Sequence, residues 1–543
     1  MIKKEKFRNK KEKKIMKKRG LKFAIAVTLG LSLFLTACGD KKTTETLDGD
    51  IDVSKYPIQT DAELTYWCQL PTTLTTITDN LGTTPFSQEY TKRTGIKIKF
   101  IHPAVGQATQ QFNLMVASGS LPDMVHFGWG GYNGGVERAY EDKVLIELNE
   151  MMDDCAPNLK AFLNEHPEYD KLVKTDSKRY LYFPTILDGD KLVTTTGPII
   201  RQDLLEKYNL TSPETIDDWT NVLRTFKENG IESPIITTSG GIYHLYAMFD
   251  APYTFYRDKN DKIQFGMVTE EFKNALIGIK AWYDEGLLEK DFITVDSKMV
   301  DSKILNGKSA ATVTSGGSGL GKYISAAPDD KFNMVGVMWP APKKGEVSRF
   351  NFMAKKHEGY GVGITTSCKY PRLAAKYLDY VYSEEGSIFA NFGIEGESYE
   401  MVEGYPTYTE LISNNPDGKN FSQALSEYTQ ANNGRAFIQD ERYIEQFYSL
   451  PQQQIATREW SKGVSRTADE TQAPYVTYTG EESETRTELY NEIINYALGM
   501  NAKFITGVEP IENFDKYVAR INELGLEKVL EIENAAYQRY KNR

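Results

Sequence analysis

Apolar positions along this chain follow two periods that alternate. Glu63-Leu64-Thr65-Tyr66-Trp67-Cys68 and Ile96-Lys97-Ile98-Lys99-Phe100-Ile101 read as strands, the second with apolar side chains at every second position. Between them residues 85–94 fit a helix, with Gly95 at its stop position. A helix over 107–117, stopped by Ser118-Gly119, and a strand Met124-Val125-His126-Phe127 follow. The loop Gly128-Trp129-Gly130-Gly131-Tyr132 leads into a helical stretch to Asp142 and the apolar segment Val144-Leu145-Ile146-Glu147-Leu148. Strand–helix alternation of this kind predicts a mostly parallel sheet covered by helices. The same alternation restarts near Gly197, with strands at 198–200, 233–237, 310–313 and 361–364. Helices are expected over 202–208, 215–229, 272–285, 297–306 and 371–382. Ser212 or Thr215 and Asp296 are the expected helix caps. From Tyr405 onward the pattern is mainly helical, and no internal repeat is visible.

The first 37 residues have another character. Residues 1–22 carry 12 Lys or Arg against Glu5 and Glu12, and an apolar run of 13 residues spans 23–35. That run is short for a bilayer crossing and follows a basic segment, as in a secretory signal. It ends Leu35-Thr36-Ala37-Cys38-Gly39, which resembles a bacterial lipobox, where cleavage precedes a cysteine that becomes lipidated. The expectation is a signal peptide over 1–37, a flexible tether over 38–59, and a body held at the outer face of the membrane by Cys38.

Removing the leader sharpens the charge. The chain totals −11 and residues 1–37 carry +10, so the part from Cys38 onward carries −21. An acidic body excludes nucleic acid as the expected partner, because phosphate contacts require Lys and Arg. Cys68, Cys155 and Cys368 show neither CxxC nor zinc spacing; either one disulfide with a free thiol or three buried thiols fits. Gly307-Lys308-Ser309 lacks the earlier glycine of a phosphate loop, and Gly316 to Gly321 lacks G-x-G-x-x-G. Gly316-Gly317-Ser318-Gly319-Leu320 has Leu where a nucleophile elbow needs Gly, and none of the five histidines forms H-E-x-x-H. No enzymatic activity, cofactor or metal is expected.

Several blocks together resemble the family 1 extracellular solute-binding proteins, which include maltose-binding protein. They are Leu121-Pro122-Asp123-Met124-Val125 with Lys143-Val144-Leu145-Ile146-Glu147-Leu148, and Ile199-Ile200-Arg201-Gln202-Asp203-Leu204 with Pro213-Glu214-Thr215 to Trp219. The others are residues 370–386 and Asn391-Phe392-Gly393-Ile394-Glu395-Gly396-Glu397-Ser398-Tyr399. The resemblance covers most of residues 60–410. It implies an α/β, two-lobed periplasmic-binding-protein-like (type II) fold with the ligand cleft between the lobes and a mainly helical C-terminal part. Lobe one would comprise 60–188 and 356–404, and lobe two 189–355 and 405–543, with crossings near 187–197, 350–358 and 400–406. Long members of the family can carry a calcium loop after the helix that holds Trp219. Phe226-Lys227-Glu228-Asn229-Gly230-Ile231-Glu232-Ser233 lacks its acidic spacing, so no metal is expected there.

The resemblance implies the solute-binding component of an ABC importer: a lipid-anchored extracellular monomer that hands a carbohydrate, an oligosaccharide by the form of its blocks, to permease subunits. A sugar offers C–H faces to aromatic rings and hydroxyls to polar groups. Candidate stacking residues are Trp67, Trp129, Tyr132, Tyr182, Tyr243, Trp339 and Tyr399, with Asp188, His244 and Glu397 as polar partners. Lipidation falls on Cys38. A secreted polysaccharide-degrading enzyme, a surface adhesin, or a binding protein for a peptide or other polar solute are the competing readings. An enzyme would need a fixed carboxylate pair, which sequence cannot single out among so many acids.

Overall fold

The computed structural model describes residues 47–543. The basic leader, the apolar run and Cys38 lie outside them. The chain enters the fold earlier than the expected tether boundary at residue 59. The Asp48 carboxylate accepts from the backbone N–H groups of Arg372 (2.7 Å) and Leu373 (3.4 Å), capping the helix Pro371–Asp379. Val53 and Ile58 are buried in the same core, and the Tyr56 hydroxyl donates to the Lys376 carbonyl at 2.5 Å. Residues 48–58 are therefore part of the folded body rather than a flexible stretch.

Strands β1 (Glu63–Trp67), β2 (Lys97–Ile101) and β3 (Met124–Gly128) run parallel, with β1 between the other two. The helices between them, Pro85–Thr94 and Ala108–Ser118, end where glycines take the left-handed conformation: Gly95 at φ 76° and Gly119 at φ 67°. Next comes β4 (Phe183–Asp188), the last strand before the chain leaves this sheet. The segment 144–148 forms no strand; Leu145 makes one isolated bridge to Thr365.

Residues 189–195 lead to a second sheet, whose central strand is β5 (Thr196–Arg201). The hairpin β6 (Phe255–Arg257) and β7 (Ile263–Phe265) lies apart, while β8 (Ala311–Ser315) and β9 (Met334–Gly336) flank β5 in antiparallel register. Residues 233–237 contribute only an isolated bridge position, Ile235 with Leu288 and Ala311. Helix Ile216–Glu228 starts with a capping box between Thr215 and Asp218, and Asp296 caps helix Ser297–Leu305.

Residues 337–359 return to the first sheet as β10 (Tyr360–Ile364), antiparallel between β3 and β4. The hairpin β11 (Tyr399–Val402) and β12 (Tyr405–Tyr408) packs on Phe392. The chain then rejoins the large sheet as β13 (Phe437–Asp440), parallel to β4, so its order is β13-β4-β10-β3-β1-β2. This corrects two expectations. Residues 437–440 belong with the first sheet rather than the second lobe, and the third passage runs over 441–450 rather than near 400–406. Helix Pro451–Trp460 then packs beneath β5 and β9, with the Trp460 indole donating to the Pro198 carbonyl at 3.1 Å.

The architecture is α/β and two-lobed, as expected. The second lobe's core joins Trp219, Trp282 and Trp339 to the C-terminal helices Gly480–Thr506, Phe514–Glu523 and Leu526–Lys541. These helices also reach the first lobe: Arg539 and Arg543 both pair with Asp176, each at 2.6 Å. Cys68, Cys155 and Cys368 are free, buried thiols.

Candidate ligand-binding site

A cavity of about 380 Å³ opens where residues 350–355 and 467–478 run together. Rings dominate its wall: Tyr253, Tyr256, Phe350, Tyr475, Tyr478 and Tyr490. The polar groups among them are Asn351, Lys355, Gln472, Arg486 and Glu533. The Arg486 guanidinium lies over Tyr478 (4.8 Å), Tyr490 (5.2 Å) and Phe255 (5.4 Å). Its Nε pairs with Glu533 at 2.5 Å, and the Tyr478 hydroxyl donates to the other Glu533 oxygen at 3.0 Å. The array is fixed before any ligand arrives, which is what a recognition surface requires.

Lys355 is the other cation. Its Nζ donates to the Pro474 carbonyl at 3.3 Å, and no carboxylate lies within ion-pair distance among the described residues. Burial lowers its pKa.

One wall touches the first lobe. The Tyr475 phenol lies over Gly359 and Gly130 and meets the His357 imidazole edge-on at 5.5 Å. Gly359 accepts from the Trp129 backbone N–H at 2.9 Å. Beside it the register places Tyr360 opposite Gly128, and a Cβ at Gly128 would lie 2.9 Å from the Tyr360 ring. Tyr360 keeps 52% of its surface exposed, so the missing side chain at 128 lets a ring lie flat at the end of β3 and remain open to solvent.

The expected platforms are distributed differently. Trp67 packs on Phe112, with ring centroids 6.1 Å apart, and Trp129 is fully buried with its indole donating to the Gly361 carbonyl at 3.2 Å. Tyr132 is buried with its hydroxyl on Asp142 (3.1 Å), Tyr182 with its hydroxyl on His357 Nε2 (2.9 Å). Trp339 is buried in the second core, its indole N–H without a partner among the described residues, and Tyr399 is buried against Phe392. All six rings are buried in this structure and serve as packing residues of the fold. Asp188 and Glu397 are exposed; Asp188 accepts from the Tyr169 hydroxyl at 2.8 Å.

Tyr243 and His244 form a second layer behind the cavity. Tyr243 packs 5.9 Å from Tyr253, and His244 meets Phe352 edge-on at 4.4 Å. Burial pushes the His244 pKa down to about 4, so the ring is neutral.

The cavity residues that sequence reasoning missed carry one local signal. Pro474-Tyr475-Val476-Thr477-Tyr478-Thr479-Gly480 is an extended, Tyr-bearing segment between a proline and a helix start. A second cavity of about 750 Å³, between the passages 189–195 and 441–450, offers the single ring Tyr448 and a carboxylate–ammonium pair already closed, Glu445 with Lys191.

A family model described as bacterial extracellular solute-binding protein matches residues 80–388. The "Lipoprotein LipO" of Bacillus subtilis (strain 168) is 24% identical over 469 residues, 83% of this chain and 88% of that protein. The "Fructooligosaccharide ABC transporter substrate-binding protein FusA" of Streptococcus pneumoniae serotype 4 is 24% identical over 400 residues, 70% of this chain and 72% of its own. Among solved structures, a solute-binding protein from Bifidobacterium longum infantis, described as HMO-binding and associated with an ABC transporter, superposes with a TM-score of 0.71 at 17% identity. That superposition covers 88% of this chain and 99% of that one.

Proposed function

Since the chain belongs to the bacterial extracellular solute-binding proteins, we propose that it is the capture subunit of an ABC importer that takes up an oligosaccharide. The sugar sits against the ring-lined cavity, the lobes close on it, and permease subunits receive it chemically unchanged. The carrying observation is the fixed array around Arg486, in which Tyr478, Tyr490 and Glu533 hold polar groups among apolar faces. Rings cover the C–H faces of a pyranose or furanose, while Lys355, Asn351 and Gln472 supply donors for its hydroxyls. Relatives described as fructooligosaccharide-binding and HMO-binding support this class of ligand. Anchoring through a lipid on Cys38, on the outer face of the membrane and as a monomer, completes the proposal, with a relative described as a lipoprotein in its favour.

Calorimetric titration with fructo-, galacturono- and milk-type oligosaccharides tests it. At least one class binds with 1:1 stoichiometry and is recovered intact by chromatography afterwards. Shortened products would establish an enzyme, and heat from peptides alone would remove the sugar.

A further inference from the structure

Arg435 stands just before β13, inside the first lobe and away from the ring-lined cavity. It is 6% exposed. Its Nε donates to Gln430 Oε1 at 3.2 Å, while Nη1 is buried with no acceptor among the described residues. No carboxylate lies within ion-pair distance of it among the described residues, and its one aromatic contact, with Phe86, is long at 5.9 Å. A guanidinium does not shed its proton to escape burial. An uncompensated buried charge is among the costlier features a fold can carry.

The guanidinium borders a small, partly open space, with room of about 10 Å³ for the centre of a water-sized guest. Tyr66, Ser87, Tyr90 and Gln430 line it with Arg435. The titratable groups that feel the Arg435 charge are neutral around pH 7. Burial pushes the Cys68 thiol up to about 12, raises Tyr66 and Tyr377, lowers His126 to about 4 and lowers His102. Among the described residues no ionised group balances the cation.

We propose that this space is a binding site for one small monovalent anion, a halide such as chloride. The guest has to be anionic to answer the guanidinium and small enough for a space the size of one water. It has to be monovalent because a single cation faces it. Sulfate, phosphate and any carboxylate-bearing metabolite exceed the room. The bound ion ties the segment before β13 to β1 and to the helix Pro85–Thr94, which holds Ser87 and Tyr90.

Bromide serves as the probe, used on the intact protein. Crystals soaked in sodium bromide give an anomalous peak within hydrogen-bonding distance of Arg435 Nη1. In thermal unfolding at constant ionic strength, replacing gluconate by chloride or bromide raises Tm along a saturable curve, and Arg435→Gln abolishes that rise. Should the variant fail to fold, the bromide peak in the unaltered protein decides alone. An empty or water-only site in the bromide crystals overturns the proposal. So does an equal rise in Tm for both proteins, which would be a general salt effect on the surface.

Discussion

The phenolic oxygen of Tyr475 lies so close over Gly359 that a Cβ at position 359 would come within 2.2 Å of it. Gly359 also has φ +75°, a region that disfavours residues with side chains. One contact thus couples the cavity wall to the strand that returns to the first lobe. Gly359→Ala is expected to lose about 1–3 kcal/mol of stability and to weaken ligand binding at the same time. Urea unfolding and calorimetry on one preparation check this; normal affinity in a stable variant would break the proposed link.

Substitution of cavity rings and of core rings should have separable effects. Tyr475→Ala and Tyr256→Ala remove stacking surface and should weaken oligosaccharide binding by about 1–2 kcal/mol, or roughly five- to thirty-fold. Trp129→Ala and Trp339→Ala empty buried volume and should cost about 3–5 kcal/mol of folding stability instead. A Trp129→Ala protein of native Tm with reduced affinity would restore Trp129 as a ligand platform.

Arg486→Met should be more damaging than its contact area suggests. It leaves Glu533, whose side chain is 6% exposed, as a buried carboxylate without its cation, a loss of about 3–5 kcal/mol. The double change Arg486→Met with Glu533→Gln should recover part of that. A double variant as unstable as the sum of its parts would show the pair to be uncoupled.

Acid should destabilise the protein through buried histidines. His357 is held neutral: Nδ1 faces the Thr185 carbonyl at 2.8 Å, and Nε2 accepts from the Gly359 N–H at 3.2 Å and meets the Tyr182 hydroxyl at 2.9 Å. Burial lowers its pKa, and that of His126 and His244, to about 4. A folded-state pKa below the unfolded value near 6.5 contributes stability that is present above pH 6.5 and lost as pH falls toward 4. For His357 this amounts to up to about 3 kcal/mol. Asp379 acts in the opposite sense. Burial raises it to about 6, so its contribution is complete below pH 4 and lost as pH rises through 6. Burial also lowers His102 and raises Asp48, so four histidines oppose two aspartates, and Tm should fall between pH 6.5 and 4, less steeply in His357→Gln. A Tm that is flat over that window would contradict the assignment.

Local chemistry made much of the fold legible. The positive-φ glycine at 95, the Thr215–Asp218 capping box and the Asp296 cap each act within a few residues, and each stands where the sequence pattern puts it. Segments 144–148 and 233–237 have strand-like composition but form only isolated bridges, Leu145 with Thr365 and Ile235 with Leu288 and with Ala311 at the start of β8, because each contact stops after a single residue pair. The site was less legible for the same reason. Whether Trp129 packs or stacks depends on Phe112, Phe127 and Gly361, which only the folded sheet brings to it. The pairing of β13 with β4 joins residues some 250 positions apart and leaves no trace in local periodicity.

The threading of the chain constrains how the lobes can open. Backbone crosses between the sheets over 189–195, over 337–359 and again over 441–450, so three covalent cords share the junction. Three cords prevent free swivelling of one half about the other and leave a door-like bend as the low-cost movement. Neither half is one uninterrupted stretch of sequence, so neither can be cut out as a fragment. The grip on a guest and the integrity of each half are properties of the whole chain.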